Sequence, residues 1–219
     1  MKKAIILLSG GLDSATTLFY AKTKGFNCHC LIFDYGQRHR RELRHAVKVA
    51  QAAKCDYKIV KISLPWLGSS LLDRSQKLPR RAVIDPKEIP STYVPARNII
   101  FLSFAASFAE AAGAQTIFIG ANAVDYSGYP DCRPDFLNAF QNALRKGMKT
   151  GVRGKAIVIK APLLKKTKAQ IVKLGRQLHV PFELTWSCYQ GSLKPCGTCD
   201  SCRLRAKGFE DAGMIDPVL

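Results

Sequence analysis

A short apolar run, Ala4 to Leu8, passes directly into Ser9-Gly10-Gly11-Leu12-Asp13-Ser14, and a helical pattern begins at once behind it. A strand that turns through two glycines into a helix leaves the first helical N–H groups unpaired. The positive end of the helix dipole then faces the end of the strand. This constrains fold and chemistry together: the run reads as a buried parallel strand, and the turn reads as an anion site. Gly10 and Gly11 let the backbone turn tightly and approach phosphate oxygens. Ser9 and Ser14 add hydroxyl donors, and Asp13 is placed to hold magnesium, directly or through water. The loop is neither the Gly-x-Gly-x-x-Gly fingerprint nor a Walker loop. A plain glycine turn is the competing reading.

The pattern repeats downstream. Helical spacing over Asp13–Lys24, with Ala15, Leu18, Phe19 and Ala21 apolar, is followed by strand candidates at Cys30–Phe33, Tyr57–Ile62, Thr116–Ile119 and Ala156–Lys160. Helices are expected over His39–Ala53, Arg97–Ala112, Arg133–Lys149 and Thr167–Leu178, the last with Thr167 as N-cap. Alternating strands and helices predict an α/β fold, a doubly wound five-stranded parallel sheet with right-handed crossovers. Leu64–Ala96 holds five prolines and little periodicity, the mark of a long functional or mobile loop. The alternation ends at Val180, so residues 1–180 are expected to form the α/β domain and 181–219 a small metal-binding appendage packed on it.

That appendage carries Cys188, Cys196, Cys199 and Cys202, spaced C-x7-C-x2-C-x2-C, four of the eight cysteines. Four thiolates with no vacancy suit a tetrahedral structural zinc. An iron–sulfur cluster or a sulfur-carrying nucleophile are the alternatives. Cys28, Cys30 and Cys55 lie around predicted strands and read as small core residues. The formal charge of +18 predicts attraction to polyanions without choosing among nucleotides, RNA and anionic membranes. The apolar run after Lys3 stops too soon for a signal peptide, and no run approaches the ~20 residues of a membrane helix. A cytoplasmic protein with no membrane partner is expected.

The loop resembles that of the N-type ATP pyrophosphatases, the PP-loop superfamily. The resemblance implies cleavage of ATP to AMP and pyrophosphate, adenylation of a substrate, and strand order 3-2-1-4-5. Further stretches extend it: Phe33-Asp34-Tyr35-Gly36-Gln37-Arg38-His39, Tyr93-Val94-Pro95-Ala96-Arg97-Asn98, Gly120 to Arg133, and Trp186-Ser187-Cys188 through Cys202. With these, nearly the whole chain resembles the 7-cyano-7-deazaguanine synthase family of queuosine biosynthesis. The resemblance implies that 7-carboxy-7-deazaguanine and ammonia become a nitrile through adenylated acid and amide intermediates, with ATP, Mg2+ and Zn2+ required and a homodimer as the assembly.

On this reading the ATP site runs through Leu8, Ser9, Gly10, Gly11, Leu12, Asp13, Ser14, Ala15, Thr16, Thr17 and Leu18, with Phe33, Tyr35, Gly120 and Lys168. Ser9, Asp13, Ser14, Arg97 and Lys166 are the catalytic candidates. Lys166 and Lys168 open a helix and are either phosphate ligands or a solvated helix start. Arg97 can neutralise the substrate carboxylate or ATP. Asp125 and Asp131 can read a guanine-like edge or help bind magnesium, or serve only turn chemistry around Gly128. Tyr126 and Tyr129 can stack on a purine-like ring or serve only packing, and Arg133 completes the substrate set or else caps or pairs structurally. His39, Glu42 and His45 invite a metal reading, but they drift around their helix among Arg38, Arg40, Arg41 and Arg44, and a solvated face is the better reading, with the His39 region still able to close over the active site. A tRNA-modifying PP-loop enzyme, thiolase or lysidine-type ligase, is the competing activity. The charge favours it, but no RNA-binding domain is evident, so direct nucleic-acid binding is not expected. A zinc-braced RNA-binding module without catalysis is a third reading, opposed by the intact loop.

Overall fold

The computed structural model describes residues 2–80, 88–122 and 128–218. Strand β1 (Lys2–Leu7) lies at the centre of a parallel sheet. It pairs on one side with β2 (Phe26–Asp34), which pairs with β3 (Asp56–Lys61). On its other side it pairs with β4 (Thr116–Phe118), which pairs with β5 (Val158–Lys160). The order β3-β2-β1-β4-β5 is the expected one.

Both faces of the sheet are covered, which is why β1 reads as an unbroken apolar run rather than an alternation. Ala4, Ile6 and Leu8 face one core, formed with α1 (Leu12–Thr23), α2 (Arg41–Ala52), α6 (Lys168–Gln177) and α7 (Asp200–Asp211). Ile5 and Leu7 face the other, formed with α3 (Arg97–Ala112) and α4 (Pro134–Gly147). Ile5 and Ile6 are almost fully buried, a contribution of roughly 2–3 kcal/mol each. No helix of the described residues is long and apolar enough to cross a membrane.

The differences from expectation have local causes. β2 begins at Phe26, because Phe26 and Cys28 already alternate inward ahead of the continuous apolar run. β5 starts later, at Val158. The helix expected to run to Lys149 stops after Gly147, where Met148 is extended (φ −111°, ψ 149°), and a separate helical turn, α5 (Lys149–Val152), follows. The tail contains the 12-residue helix α7, which periodicity did not reveal because the cysteine spacing masks it. Phe209 of α7 joins the same core as Ile171 of α6. Arg205 of α7 is 3% exposed and held by Asp216 (2.7 and 2.9 Å), Thr185 Oγ1 (2.7 Å) and the Phe182 carbonyl (3.3 Å).

The chain leaves β1 towards β2 on one side, while β4 lies on the other. The loops after β1 and β4 therefore splay apart at their carboxyl ends and open a crevice. The two loops touch at its floor. A Cβ on Gly120 would stand 3.1 Å from the backbone of Ser14, so a side chain there would wedge the loops apart.

Candidate functional site

The crevice is a cleft of about 280 Å³. Its floor is the loop between β1 and α1. The Ser9 and Ser14 hydroxyls lie 3.0 Å apart, and each also bonds loop backbone: Gly11 N donates to Ser9 Oγ (3.3 Å) and Ser14 Oγ donates to the Gly11 carbonyl (3.1 Å). Gly11 is the N-cap of α1 and supplies no side-chain cap. The first-turn N–H groups of α1 are thus left for another acceptor. Gly10 has φ +83°, and a Cβ there would stand 2.5 Å from both Ala46 N and the Glu42 carbonyl oxygen of α2. Gly10 therefore faces α2 rather than the cleft, and its small size lets the helix press on the loop. Gly10→Ala is expected to cost at least about 2 kcal/mol, from left-handed strain and backbone collision together. Melting temperature and ATP affinity measured on that variant should both fall; unchanged values would remove the packing role.

Asp13 sits in the first turn of α1. Its Oδ2 accepts from Lys168 Nζ at 2.7 Å and from Asn122 Nδ2 at 3.2 Å. Its Oδ1 is buried and meets no hydrogen-bond partner among the described residues. Lys168 reaches Asp13 because the start of α6 is fixed by a capping box. Gln170 N donates to Thr167 Oγ1 (3.3 Å), and Thr167 N donates to Gln170 Oε1 (3.0 Å). Lys166 lies ahead of that cap, with its own N–H turned to the Leu163 carbonyl, and does not line the cleft. The structure brings Lys168, and not Lys166, to the phosphate loop.

A second wall comes from the end of β2 and the start of α3. Gln37 fixes the turn after β2: Tyr35 N donates to Gln37 Oε1 (2.8 Å), and Gln37 Nε2 donates to the Phe33 carbonyl (3.1 Å). Phe33 stacks on Phe101, with ring centroids 4.0 Å apart. Arg97 opens α3 behind Ala96, a non-glycine residue held at φ +56°, the kind of strain that persists where the surroundings fix it. Asp131 is buried and accepts from Asn98 N (2.9 Å) and Asn98 Nδ2 (3.3 Å), so it caps α3 instead of opening into the cleft. Arg97 bonds the Tyr35 hydroxyl. Burial works against the Arg97 charge, but the phenolic oxygens of Tyr35 and Tyr129 outweigh it and keep the guanidinium firmly protonated. Burial pushes the Tyr35 phenol up to about 12, and the neighbouring Glu42 adds to that. Burial likewise pushes Glu42 up to about 7, against the opposing pull of Arg97 and a hydrogen bond from Gln37.

The third wall is the tail. Trp186 N donates to the Gly10 carbonyl (2.9 Å), tying the tail to the phosphate loop. Trp186 Nε1 donates to the Cys188 carbonyl (2.8 Å). The Sγ atoms of Cys188, Cys196, Cys199 and Cys202 all lie within 4.8 Å of one another, a group able to hold a metal ion. Backbone N–H groups point at the sulfurs: Gln190 N and Cys196 N at Cys188 Sγ (3.4 Å each), and Cys199 N at Cys196 Sγ (3.3 Å).

Of the residues expected in the site, Leu8, Ser9, Gly11, Leu12, Asp13, Ser14, Phe33, Tyr35, Arg97, Gly120, Tyr129 and Lys168 line the cleft. Ala15, Thr16, Thr17 and Leu18 do not; α1 turns them into the protein, where they are fully buried beneath the loop. Arg133 is exposed at the N-cap of α4, away from the cleft. Asp125 and Tyr126 lie outside the described residues. The solvated-face reading of His39, Glu42 and His45 is overturned. Glu42 and His39 line the cleft, and His45 Nδ1 lies 2.8 Å from the Leu184 carbonyl with its ring 5.2 Å from that of Trp186. The tail packs over that helix face, and a periodicity argument cannot see a cover supplied from 139 residues away. Gln37, Glu42 and Trp186 were missed; the one available hint was a lone acid within an arginine-rich turn.

The chain matches a family model described as "Queuosine biosynthesis protein QueC" over residues 3–213. It is 54% identical over 218 residues to the 7-cyano-7-deazaguanine synthase of Thermoplasma volcanium, covering 99% of this chain and 90% of that protein. It is 52% identical over 221 residues to the protein of the same name from Nostoc punctiforme, covering 99% of each. Among solved structures it resembles the NMN synthetase of Francisella tularensis (TM-score 0.51, 16% identity, 98% of this chain and 78% of that one). It also resembles a U34-tRNA thiolase from Methanococcus maripaludis described with its [4Fe-4S] cluster (TM-score 0.52, 16% identity, 94% and 64%). At that identity these two structures speak to the fold alone.

Proposed function

Because the chain belongs to the QueC family of queuosine biosynthesis proteins, we propose that it is an ATP-dependent ligase that turns 7-carboxy-7-deazaguanine and ammonia into 7-cyano-7-deazaguanine. The observation that carries this reading is the phosphate loop itself. It presents uncapped helix N–H groups and an unpartnered Asp13 oxygen to a cleft whose other wall bears Arg97.

Each wall has a task. The α1 N-terminus and the Ser9 and Ser14 hydroxyls receive phosphate oxygens, and Lys168 neutralises part of their charge. Phe33 and Tyr35 take the adenine. Arg97, kept charged, meets the acid carboxylate, and Tyr129 lies along the deazaguanine ring. A carboxylate oxygen is a poor leaving group. Its attack on the α-phosphorus expels pyrophosphate and makes it a good one. Ammonia then displaces AMP to give the amide. A second ATP adenylates the amide oxygen, and loss of AMP leaves the nitrile. The protein's part is alignment and charge stabilisation.

Asp13 Oδ1 is the atom that would hold Mg2+, which supplies charge neutralisation on the phosphates when bound. The four cysteines would hold Zn2+. With Zn–S bonds of about 2.3 Å a tetrahedral ion needs sulfurs roughly 3.8 Å apart. The cluster of sulfurs within 4.8 Å fits one such ion. It does not suit a cubane, whose thiolates each bind a different iron.

Incubation with ATP, ammonia and the acid should give AMP and the nitrile by mass spectrometry. AMP formed only when tRNA is added would overturn the reading. Metal analysis should return one zinc per chain; iron with labile sulfide would overturn that assignment.

A further inference from the structure

Among the described residues, Asp13 and Glu42 are the acids that line the cleft. Asp13 is engaged with Lys168 and the phosphate loop; Glu42 is left without a task in the reaction as proposed. Its position is close to the chemistry. Glu42 lines the same cleft as Ser9, Asp13 and Arg97, while its backbone carbonyl packs against Gly10 on the side of the loop turned from the cleft. Its carboxyl takes a hydrogen bond from Gln37 and faces Arg97, the residue assigned to the acid substrate.

Resting on that assignment of function, we propose that Glu42 accepts a proton from the ammonium ion entering the cleft, so that ammonia is released beside the acyl adenylate. Ammonia is mostly protonated near neutral pH and has no lone pair to attack with until a proton leaves. The steps balance. Ammonium gives one proton to the carboxylate. The freed lone pair forms the C–N bond at the acyl carbon, and the C–O bond to AMP breaks with its electron pair on the phosphate oxygen. That phosphate takes the second surplus proton from nitrogen. Glu42 then returns its proton to solvent.

The surroundings suit this task. Burial holds the Glu42 carboxyl at about 7, so both forms are populated at neutral pH, where a general base is most useful. Arg97 of α3 and the phenol of Tyr35 at the end of β2 face it directly. The remaining titratable groups of the cleft are Asp13 and Lys168, paired with each other, Arg38 and His39 in the turn before α2, with burial favouring the neutral His39 ring, and Arg205, engaged by Asp216. The phenols of Tyr129 and Tyr189 complete the lining. A desolvated carboxylate also attracts the small ammonium cation into a cleft whose other arginines repel it.

The two halves of the reaction separate this role from others. Only conversion of acid to amide consumes ammonia; conversion of the amide to nitrile does not. With Glu42→Gln, the rate from acid plus ammonium relative to the rate from synthetic amide should fall about 100-fold against wild type. Both rates come from one preparation, so partial misfolding cancels. In wild type, kcat/KM for total ammonium should climb through about pH 7 and level off. In Glu42→Gln it should keep climbing towards alkaline pH as free ammonia accumulates, and Glu42→Asp should restore part of the neutral rate. An unaltered ratio, or a defect equal at every pH, would overturn the proposal and assign Glu42 to holding the shared deazaguanine ring or the cleft. Failure of wild type to make nitrile from the amide would instead defeat the function assignment itself.

Discussion

Asp13→Ala is expected to slow AMP formation about a thousandfold while the protein melts within a few degrees of wild type. The two halves of this expectation have different causes. Asp13 is about a quarter exposed, and its partner Lys168 is also partly open to solvent (side-chain exposure 24% and 16%). Losing such a pair costs about 1 kcal/mol or less, and the carboxylate anchors no core residue. The kinetic loss is larger because the variant removes two things the triphosphate needs at once. One is the unpartnered Oδ1, the atom assigned to magnesium. The other is Oδ2, which holds Lys168 Nζ at 2.7 Å and so aims that cation along the loop. A Lys168 released from Asp13 still attracts phosphate, so KM for ATP should change less than kcat. That split marks a group acting on the transition state more than on binding. Asp13→Asn, which keeps a carbonyl oxygen of similar size, should recover little, since the negative charge is what the metal and the lysine need. Stopped assays of AMP release beside melting curves decide the matter. Turnover within tenfold of wild type would take Asp13 out of the mechanism.

The parts of this architecture that were legible in the sequence are those written in local pattern. Ala4–Leu8 is apolar at every position because β1 is buried on both faces, and that signal needs no knowledge of the neighbours. Ser9–Ser14 is a contiguous segment whose chemistry follows from its glycines and hydroxyls. Thr167 and Gln170 stand three positions apart at a helix start, and they form the capping box in space. What was not legible depends on contacts across long chain separations. Glu42 looks like a solvated acid until Gln37 and Arg97 of α3 are seen to face it. Asp131 looks like a substrate ligand until Asn98, 33 residues earlier, is seen to need its oxygens. The choice between Lys166 and Lys168 turned on which side of the Thr167 cap each falls, a difference of about half a helical turn that composition does not record. Ala15–Leu18 follow the loop in sequence but leave it in space, because a helix carries its second turn away from its own N-terminus.

Removal of the metal from the cysteine cluster should produce the largest loss of all, in stability and activity together. A structural metal ion contributes its binding energy to folding, and one held by the four thiols would close the tail that walls the cleft. Cys199 is both one of the four clustered thiols and the N-cap of α7, and α7 carries Arg205 and Phe209 into the interior. Trp186 stands two residues before Cys188, donates its indole N–H to the Cys188 carbonyl, and its own backbone N–H holds the Gly10 carbonyl at 2.9 Å. A disordered cluster therefore frees the very peptide that sets the phosphate loop. Cys199→Ala is expected to lose bound metal and at least about 3 kcal/mol, which for a chain of this size lowers melting by roughly 10 °C. Catalysis should fall at temperatures well below the new melting point, because the link from Trp186 to Gly10 is local and fails before the core does. Cys30→Ala is the control: it also removes a buried thiol, but from the core beside β1, and should leave metal content and ATP turnover intact at low temperature. Metal content by elemental analysis, melting curves and turnover, measured on both variants, separate the two cases. If Cys199→Ala kept its metal and its melting temperature, the tail would stand by packing alone, and the coupling from the thiolates through Trp186 to the phosphate loop would have no basis.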